Sequence, residues 1–373
     1  MSRVAIVMLA CRDYEAMELS LACHTAYLPE GVPFFILQNC RGDYDAERTL
    51  AVARRYEGLF PRAITVVDEF PPDAPYHSIA ALLASPRFAA VKLVCKVDDD
   101  AFPIASGWLD ALLACWKDVG IQSNRPLAYV TPLINNNTWG FPQTLDAMGL
   151  REAFLAKAAR EHRIGAGTPE APVRIVSASE IHTGACGTIW GYPHIARWLH
   201  ERTTLDPDGF IAATRSLDRV EVVNQDRYSI GCILFQKELW PRIDDGGADD
   251  EHMLHQYCKR TNERIICARS VPFVHLAYFS QREENRDIVE TARKVYESRL
   301  GHPFPIAMRA SRLLEIEARL RWIDGQGLGS AQRLPANNGH LPGDLTPERL
   351  GALVAKGIYR AALSKLGLLR RAR

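Results

Sequence analysis

The chain has 373 residues and a formal net charge of +1 at neutral pH, with 47% hydrophobic and 24% charged residues. This is the composition of a soluble globular protein, and the near-zero net charge gives no indication of nucleic acid as a partner. The length suits two domains, or one large α/β unit with an appendage. The nine cysteines include no C-x-x-C pair, which argues for a reducing compartment and against a disulfide framework or structural zinc site.

The N-terminal sequence does not have the features of a secretory signal. The apolar run Val4–Ala10 is short, and charged residues follow it almost directly. No uncharged stretch approaches the roughly 20 residues that are needed to span a bilayer. We therefore expect a cytoplasmic protein without a membrane span.

The N-terminal part of the chain alternates strand and helix patterns. Strands are predicted at 4–9, 34–37, 63–67 and 91–97, and helices at 14–27, 45–56 and 77–83. Repeated strand–helix units predict a parallel sheet covered by helices, and ligands bind beyond the carboxyl ends of the strands in such sheets. The polar residues that follow these strands are therefore expected to share one crevice: Arg12, Asn39, Asp68 and Asp98–Asp100.

The rest of the chain is less regular. Strands are predicted at 127–133, 173–177, 230–235, 264–268 and 271–277, and helices at 151–162 and 251–260. A polar loop lies at 135–139 and a glycine-rich segment at 182–192. Charged helical stretches follow at 286–300 and 306–323, then a segment rich in Gly, Pro and Asn, and finally a basic amphipathic helix.

Three consecutive aspartates end the fourth predicted strand, in the segment K-V-D-D-D-A-F. Asp98, Asp99 and Asp100 bring like charges together, which is costly unless a cation offsets them. A strand that ends in carboxylates is a common site for Mg²⁺ or Mn²⁺, which substrate phosphates and water then complete. Lys96 lies on the same face as Asp98 and Asp100 only if the strand continues that far. The alternative is a solvated acidic turn.

Two further signals lie nearer the C-terminus. In the segment G-G-A-D-D-E-H, an acidic group opens a predicted helix, and a carboxylate held ionised at a helix N-terminus suits a general base. The simpler interpretation is that an aspartate there caps the helix. His275, at the end of the last predicted strand, offers an imidazole to Mn²⁺, although a lone histidine in an apolar strand is more often a hydrogen-bonded core residue.

The order of these motifs resembles that of GT-A fold glycosyltransferases, which use nucleotide sugars. The segment D-D-D-A-F is similar to the acidic motif of Golgi galactosyltransferases and Fringe-type enzymes, and V-A-I-V-M-L-A-C-R-D-Y is similar to the opening of bacterial enzymes that build surface polysaccharides. The resemblance spans residues 3–280. It implies an α/β fold with a Rossmann-like, mostly parallel sheet, helices on both faces and a helical C-terminal extension.

The resemblance also implies a division of the chain. One GT-A domain would contain a nucleotide-sugar-binding half at 1–120 and an acceptor-binding half at 121–280. A helical extension at 281–323, a linker at 324–345 and the basic amphipathic helix at 346–373 would follow.

Roles for individual residues follow from the same resemblance. Those matched to the nucleotide-sugar site are Ala10, Arg12, Asn39, Asp98 and Gly184, and we add Asp68 and Lys96 to this site from their positions after the third and on the fourth predicted strand. Those matched to a Mn²⁺ or Mg²⁺ site are Asp98, Asp100 and His275. Asp250 matches the catalytic base, with Asp249 and Glu251 as neighbouring candidates. In an inverting enzyme Asp250 would deprotonate the acceptor, whereas in a retaining enzyme it would bind the acceptor.

The implied activity is metal-dependent transfer of a hexose from a nucleotide sugar, expected to be a UDP sugar. The acceptor would be a hydroxyl of a glycan or lipid-linked glycan, in bacterial surface polysaccharide synthesis. The helix at 346–373 would bind the anionic inner face of the cell membrane, or else pack on the body of the protein. The alternatives are a nucleotidyltransferase or sugar-nucleotide pyrophosphorylase, for which the first loop lacks glycine, and a non-catalytic scaffold that binds a sugar nucleotide.

Overall fold

Within the described residues of the computed structural model, a nine-stranded sheet lies at the centre of the molecule. The structure describes residues 4–11, 13–39, 46–70, 75–121, 125–137, 140–161, 193–222, 230–244, 250–277, 284–301 and 304. The strands are β1 (Val4–Ala10), β2 (Phe34–Gln38), β3 (Ile64–Val67), β4 (Leu93–Asp98), β5 (Ala101–Pro103), β6 (Leu127–Ile134), β7 (Val220–Glu221), β8 (Cys232–Gln236) and β9 (Arg264–His275). The α-helices are α1 (Tyr14–Tyr27), α2 (Ala46–Leu59), α3 (Pro75–Ala84), α4 (Trp108–Ile121), α5 (Gly140–Ala147), α6 (Arg151–Glu161), α7 (Pro193–His200), α8 (Pro207–Thr214), α9 (Asp250–Thr261) and α10 (Arg286–Leu300).

The strand order across the sheet is β3-β2-β1-β4-β8-β6-β9-β5, and β7 pairs with β9. Strands β1 to β4 are parallel to one another, and β6 is parallel to β9. Strands β8, β5 and β7 are antiparallel to their neighbours. Most of the described strands therefore run in one direction, and the predicted α/β class with a mostly parallel, Rossmann-like sheet is confirmed.

Helices cover both faces of this sheet, as predicted. Every residue of β1 is buried, and its side chains alternate between two hydrophobic clusters, which is the pattern of a strand covered on both sides. Buried side chains of α3, α9 and α10 belong to the first cluster. Those of α2 and α4 belong to the second. The sheet is therefore the middle layer of the domain.

The first helix begins with a side-chain cap and supports the helical extension. Asp13 precedes α1, and its Oδ1 accepts a hydrogen bond of 3.2 Å from the amide of Ala16, as aspartate commonly does at this position. Farther along α1, Glu18 forms an ion pair of 2.7 Å with Arg293 of α10. The part of the C-terminal extension that the structure describes therefore packs against the first helix of the sheet domain.

Several predicted elements differ from the observed ones. The two closing strands at 264–268 and 271–277 are one strand, β9, so that prediction is wrong. The register of β9 against β6 shifts near Pro132, and the half-buried Arg269 and exposed Ser270 interrupt the apolar pattern there. Helix α4 and the shorter elements β5, α7 and α8 had not been predicted. The predicted elements at 173–177, 182–192, 306–323 and 346–373 lie outside the described residues.

In the part of the chain that the structure describes, no helix combines the length and the hydrophobicity that crossing a bilayer requires.

Candidate active site

The strand ends that carry most of the predicted site residues meet at one edge of the sheet. Strands β1, β4, β6 and β9 finish at this edge, whereas the antiparallel strands β8 and β5 begin there. The backbone amide of Asp98 donates a hydrogen bond of 2.9 Å to the carbonyl of Gly231, just before β8. Ala101 of β5 pairs with His275 of β9. Ligands of such sheets bind beyond the carboxyl ends of the parallel strands. This edge is therefore the candidate active site.

Asp100 and His275 face each other at this edge. Asp100 Oδ1 lies 3.1 Å from His275 Nε2, and the carbonyl of Asp100 accepts 3.0 Å from the amide of Leu276. Burial by itself would lower the pKa of His275, but the charge and hydrogen bond of Asp100, together with the charges of Asp98 and Glu251, raise the pKa to about 9. The two side chains therefore form a charged pair at neutral pH.

The donor set of this pair suits a hard divalent cation. A carboxylate oxygen and an imidazole nitrogen are both ligands that Mn²⁺ accepts. Adjacent ligand atoms of an octahedral cation, with bonds of about 2.1 Å, lie about 3.0 Å apart, close to the 3.1 Å between Asp100 Oδ1 and His275 Nε2. Among the described residues, no group of three or more His, Cys, Asp and Glu side chains is arranged to hold a metal by itself. A cation here would therefore need further ligands, such as phosphates and water.

A buried lysine lies between the other two predicted carboxylates. Lys96 Nζ is 2.6 Å from Asp98 Oδ1 and 3.9 Å from Asp250 Oδ2, and its side chain is 3% exposed. Burial would lower the pKa of Lys96, but Asp98 first, and then Asp250 and Glu251, raise it above its ordinary value. Lys96 therefore stays cationic and holds Asp98 and Asp250 close to the same ammonium group. Strand β4 ends at Asp98, so Lys96 shares its face with Asp98 but Asp100 lies beyond the strand.

The second acidic group lies at the start of α9. This helix begins at Asp250, whose side chain is mostly buried, and Glu251 accepts a hydrogen bond of 3.1 Å from the amide of Ile230. Glu251 thus has a backbone partner just before β8, while Asp250 lies next to Lys96. Of the two described acids at this helix start, Asp250 is the one in ion-pair distance of the lysine that also holds Asp98. The third candidate, Asp249, lies outside the described residues.

Asp99 connects the acidic turn to the loop that follows β1. Its Oδ2 accepts a hydrogen bond of 2.8 Å from the backbone amide of Cys11 and lies 3.5 Å from the backbone amide nitrogen of Asp13. Asp99 and Asp100 are 7% and 9% exposed. The three aspartates are therefore not a solvated acidic turn, and the middle one points away from the Asp100–His275 pair to the β1–α1 loop.

Of the residues predicted to hold the nucleotide, Ala10, Asn39 and Asp68 lie at the ends of β1, β2 and β3, in neighbouring positions along the same edge. The backbone amide of Asn39 donates a hydrogen bond of 2.8 Å to the carbonyl of Ala10, and the side-chain Oδ1 of Asn39 accepts one of 2.8 Å from Ser78 Oγ. Asp68 is exposed and forms an ion pair of 2.6 Å with Arg54 of α2. Arg12 and Gly184 lie outside the described residues, so their predicted roles have no structural counterpart here.

Two asparagines that were predicted only as part of a polar loop contact His275. Asn135 and Asn136 follow β6 and are fully buried. Asn135 accepts a hydrogen bond from the backbone amide of His275, and Asn136 donates one to the backbone carbonyl of His275. Asn136 also contacts the ring of His275. The sequence contained a usable signal, because a run of amides directly after a buried strand obeys the same strand-end rule that identified Asn39 and Asp98.

Comparisons with known proteins give matches among solved structures alone. No protein-family model matches this chain, and no curated protein matches it. Among solved structures, the chain aligns with the mannosyltransferase PcManGT from Pyrobaculum calidifontis, in complex with GDP-Man and Mn²⁺. The alignment has 14% identity and a TM-score of 0.39, and it covers 96% of this chain and 80% of that chain. A likeness at this level carries no argument about function, so the assignment of a function depends on the site itself.

Proposed function

We propose that this protein is a metal-dependent glycosyltransferase that uses a nucleotide sugar. The observation that carries the proposal is the contact of 3.1 Å between Asp100 and His275 at the carboxyl end of the sheet. Beside this pair, Asp98 and Asp250 share the ammonium group of Lys96. A hard cation site with few protein ligands, next to a second carboxylate group, suits a substrate that brings its own phosphates.

We further propose the identity of the substrates and a division of the chain. The donor is a UDP sugar, the transferred group is a hexose, and the acceptor is a hydroxyl of a glycan or lipid-linked glycan in bacterial surface polysaccharide synthesis. Residues 1–120 bind the donor and residues 121–280 bind the acceptor. In this proposal residues 281–323 form a helical extension and residues 324–345 a linker, and the basic helix at 346–373 either attaches the protein to the anionic inner face of the cell membrane or packs on the body of the protein.

Asp100 and His275 would hold the cation, with Asp98 as the other ligand candidate from the sequence. A bound Mn²⁺ or Mg²⁺ supplies charge neutralisation for the diphosphate as the bond to the sugar breaks. Lys96 holds Asp98 in place, because a buried ammonium needs carboxylates paired with it. The chain thus brings a preorganised charge arrangement to the leaving group, which is where such arrangements contribute most to rate.

Asp250 is the proposed base for an inverting reaction. Its position in the first turn of α9 favours the ionised form, because a helix N-terminus carries partial positive charge. The carboxylate would accept the proton of the acceptor hydroxyl while that oxygen attacks the anomeric carbon. In a retaining reaction Asp250 binds the acceptor hydroxyl without removing its proton. Asp250 therefore acts on the acceptor in both cases.

Asp99 is expected to keep the nucleotide-binding loop in register with the cation site. We expect Asp99→Ala to lower the free energy of unfolding by about 2 kcal/mol, because a buried carboxylate–amide hydrogen bond is lost. The affinity for UDP should fall about tenfold, since the backbone near Cys11 is released. Urea unfolding and UDP titration measure the two effects.

Asp99→Asn is the matched variant for this prediction. An asparagine keeps a neutral acceptor for the amide of Cys11, and neutral hydrogen bonds are roughly half as strong as charge-assisted ones. Its losses should lie between those of the wild type and Asp99→Ala. Unchanged stability and UDP affinity in Asp99→Ala would remove this role from Asp99.

A panel of sugar nucleotides tests the proposed function directly. Purified protein is incubated with UDP, GDP, CDP and dTDP sugars in the presence of Mn²⁺, and the released nucleoside phosphate is measured. We expect one nucleotide class to be turned over, with UDP sugars first, and we expect a chelator to remove the activity. If no sugar nucleotide is consumed, or if a chelator has no effect, the proposal is wrong.

A further inference from the structure

We propose that Asn136 is a positioning residue that sets the ring of His275 so that Nε2 faces Asp100 and the cation. This inference rests on the proposed function and adds a residue to its cation site. It identifies which ring nitrogen is the ligand and which side chain makes that choice. Asn136 itself does not touch the substrate or the cation in this assignment.

Two contacts of the Asn136 side chain determine which nitrogen of the His275 ring carries a proton. Asn136 Nδ2 donates 2.6 Å to the carbonyl of His275, and Asn136 Oδ1 lies 2.8 Å from His275 Nδ1. A rotated amide would place two oxygens 2.6 Å apart, so the amide orientation is fixed. An amide oxygen can only accept, and Nδ1 must therefore carry a proton. In the neutral imidazole that can bind a metal, the lone pair is then on Nε2.

The backbone around the ring is held as well. Asn135 Oδ1 accepts 2.9 Å from the amide of His275, and Asn135 Nδ2 donates 3.1 Å to Thr203 Oγ1. The carbonyl of Leu276 lies 3.1 Å from His200 Nε2. Main-chain groups of two consecutive residues are thus bonded by side chains from the turn after β6 and from α7. The backbone that carries the ring of His275 is therefore held in place, and among these groups only Asn136 also contacts the ring.

The burial of both asparagines supports a specific contact between Asn136 and His275. Asn135 and Asn136 are both 0% exposed, and a buried amide is costly unless hydrogen bonds satisfy it. Metal-binding histidines in proteins usually donate their other ring N–H to an oxygen, which fixes the ring and its tautomer. Removing such a partner typically costs 10- to 100-fold in metal affinity, roughly speaking. Asn136 has the position and the acceptor atom for this role.

A pair of matched substitutions separates positioning from mere stability. Asn136→Ser and Asn135→Ser each remove a hydrogen bond to the backbone of His275, and only Asn136→Ser also removes the ring contact. The affinity for Mn²⁺ is measured by electron paramagnetic resonance in the presence of UDP. We expect a loss of about 10- to 100-fold for Asn136→Ser and less than about threefold for Asn135→Ser, at similar losses of thermal stability.

A second measurement does not need the metal. In the metal-free protein, the Nδ1 proton of His275 should give a slowly exchanging NMR resonance, which His275→Gln assigns. The resonance should disappear in Asn136→Ser and persist in Asn135→Ser. Equal Mn²⁺ affinity in Asn136→Ser and the wild type, or an unchanged Nδ1 resonance in that variant, would overturn the inference. If the wild type itself fails to bind Mn²⁺ with UDP, the proposed function is wrong. The NMR comparison of the two variants then still tests the contact between Asn136 and the ring of His275.

Discussion

Replacing Asp100 with alanine is expected to lower sugar transfer by about a thousandfold, which corresponds to about 4 kcal/mol of transition-state stabilisation. The substitution removes the carboxylate that lies 3.1 Å from His275 and leaves the proposed site with His275 and the further candidate Asp98. The fold should persist, because the backbone carbonyl of residue 100 still accepts from Leu276. The measurement is the initial rate with saturating donor and Mn²⁺.

Asp110→Ala is the matched control for this variant. Asp110 is exposed in the first turn of α4, so its removal changes the same chemical group without touching the strand ends. We expect its rate and thermal unfolding to match those of the wild type. Transfer at the normal rate in Asp100→Ala, with folded protein, would remove the cation role from Asp100.

The second large effect is expected at Asp250. Asp250→Asn keeps the size and much of the hydrogen bonding but removes the basic oxygen, and we expect kcat to fall by about a thousandfold if this carboxylate takes the acceptor proton. The Michaelis constant for the donor should change little. In a retaining enzyme, by contrast, the same substitution would raise the Michaelis constant for the acceptor while kcat stays near the wild-type value.

Glu251→Gln provides the comparison along the same helix turn. A glutamine keeps the acceptor for the amide of Ile230, so its rate should stay within about fivefold of the wild type. Asp249→Asn completes the series. If Asp249→Asn abolishes transfer and Asp250→Asn does not, the assignment of the base is wrong by one residue.

Most of the N-terminal half could be predicted from the sequence, because its signals are local. The continuous apolar run of β1 and the helical pattern at 14–27 lie where the structure has them. Helix α4 was missed although W-L-D-A-L-L-A-C-W carries apolar residues at helical spacing. The position of β8, antiparallel between β4 and β6, could not be predicted. That pairing joins segments far apart in the chain, and a short apolar run contains no information on its neighbours.

The candidate site could be predicted in part for the same reason. Asp98 and Asp100 could be identified because they follow a predicted strand, and His275 because it lies at the end of the last predicted strand and matches the family resemblance. The contact of Asn136 with His275 joins residues 139 apart in the chain, and no local pattern encodes it. The three consecutive aspartates each have a different partner, and this also depends on the turn after β4. The alternation of side chains between the two faces of a strand no longer holds where the strand ends.

The most direct test is a crystal structure of the protein with Mn²⁺ and UDP, with data collected at the manganese absorption edge. We expect one anomalous peak bonded to an oxygen of Asp100 and to Nε2 of His275, with both phosphates of UDP completing its coordination. An anomalous map without a peak between these two side chains, or a diphosphate bound away from the carboxyl ends of the strands, would contradict the account.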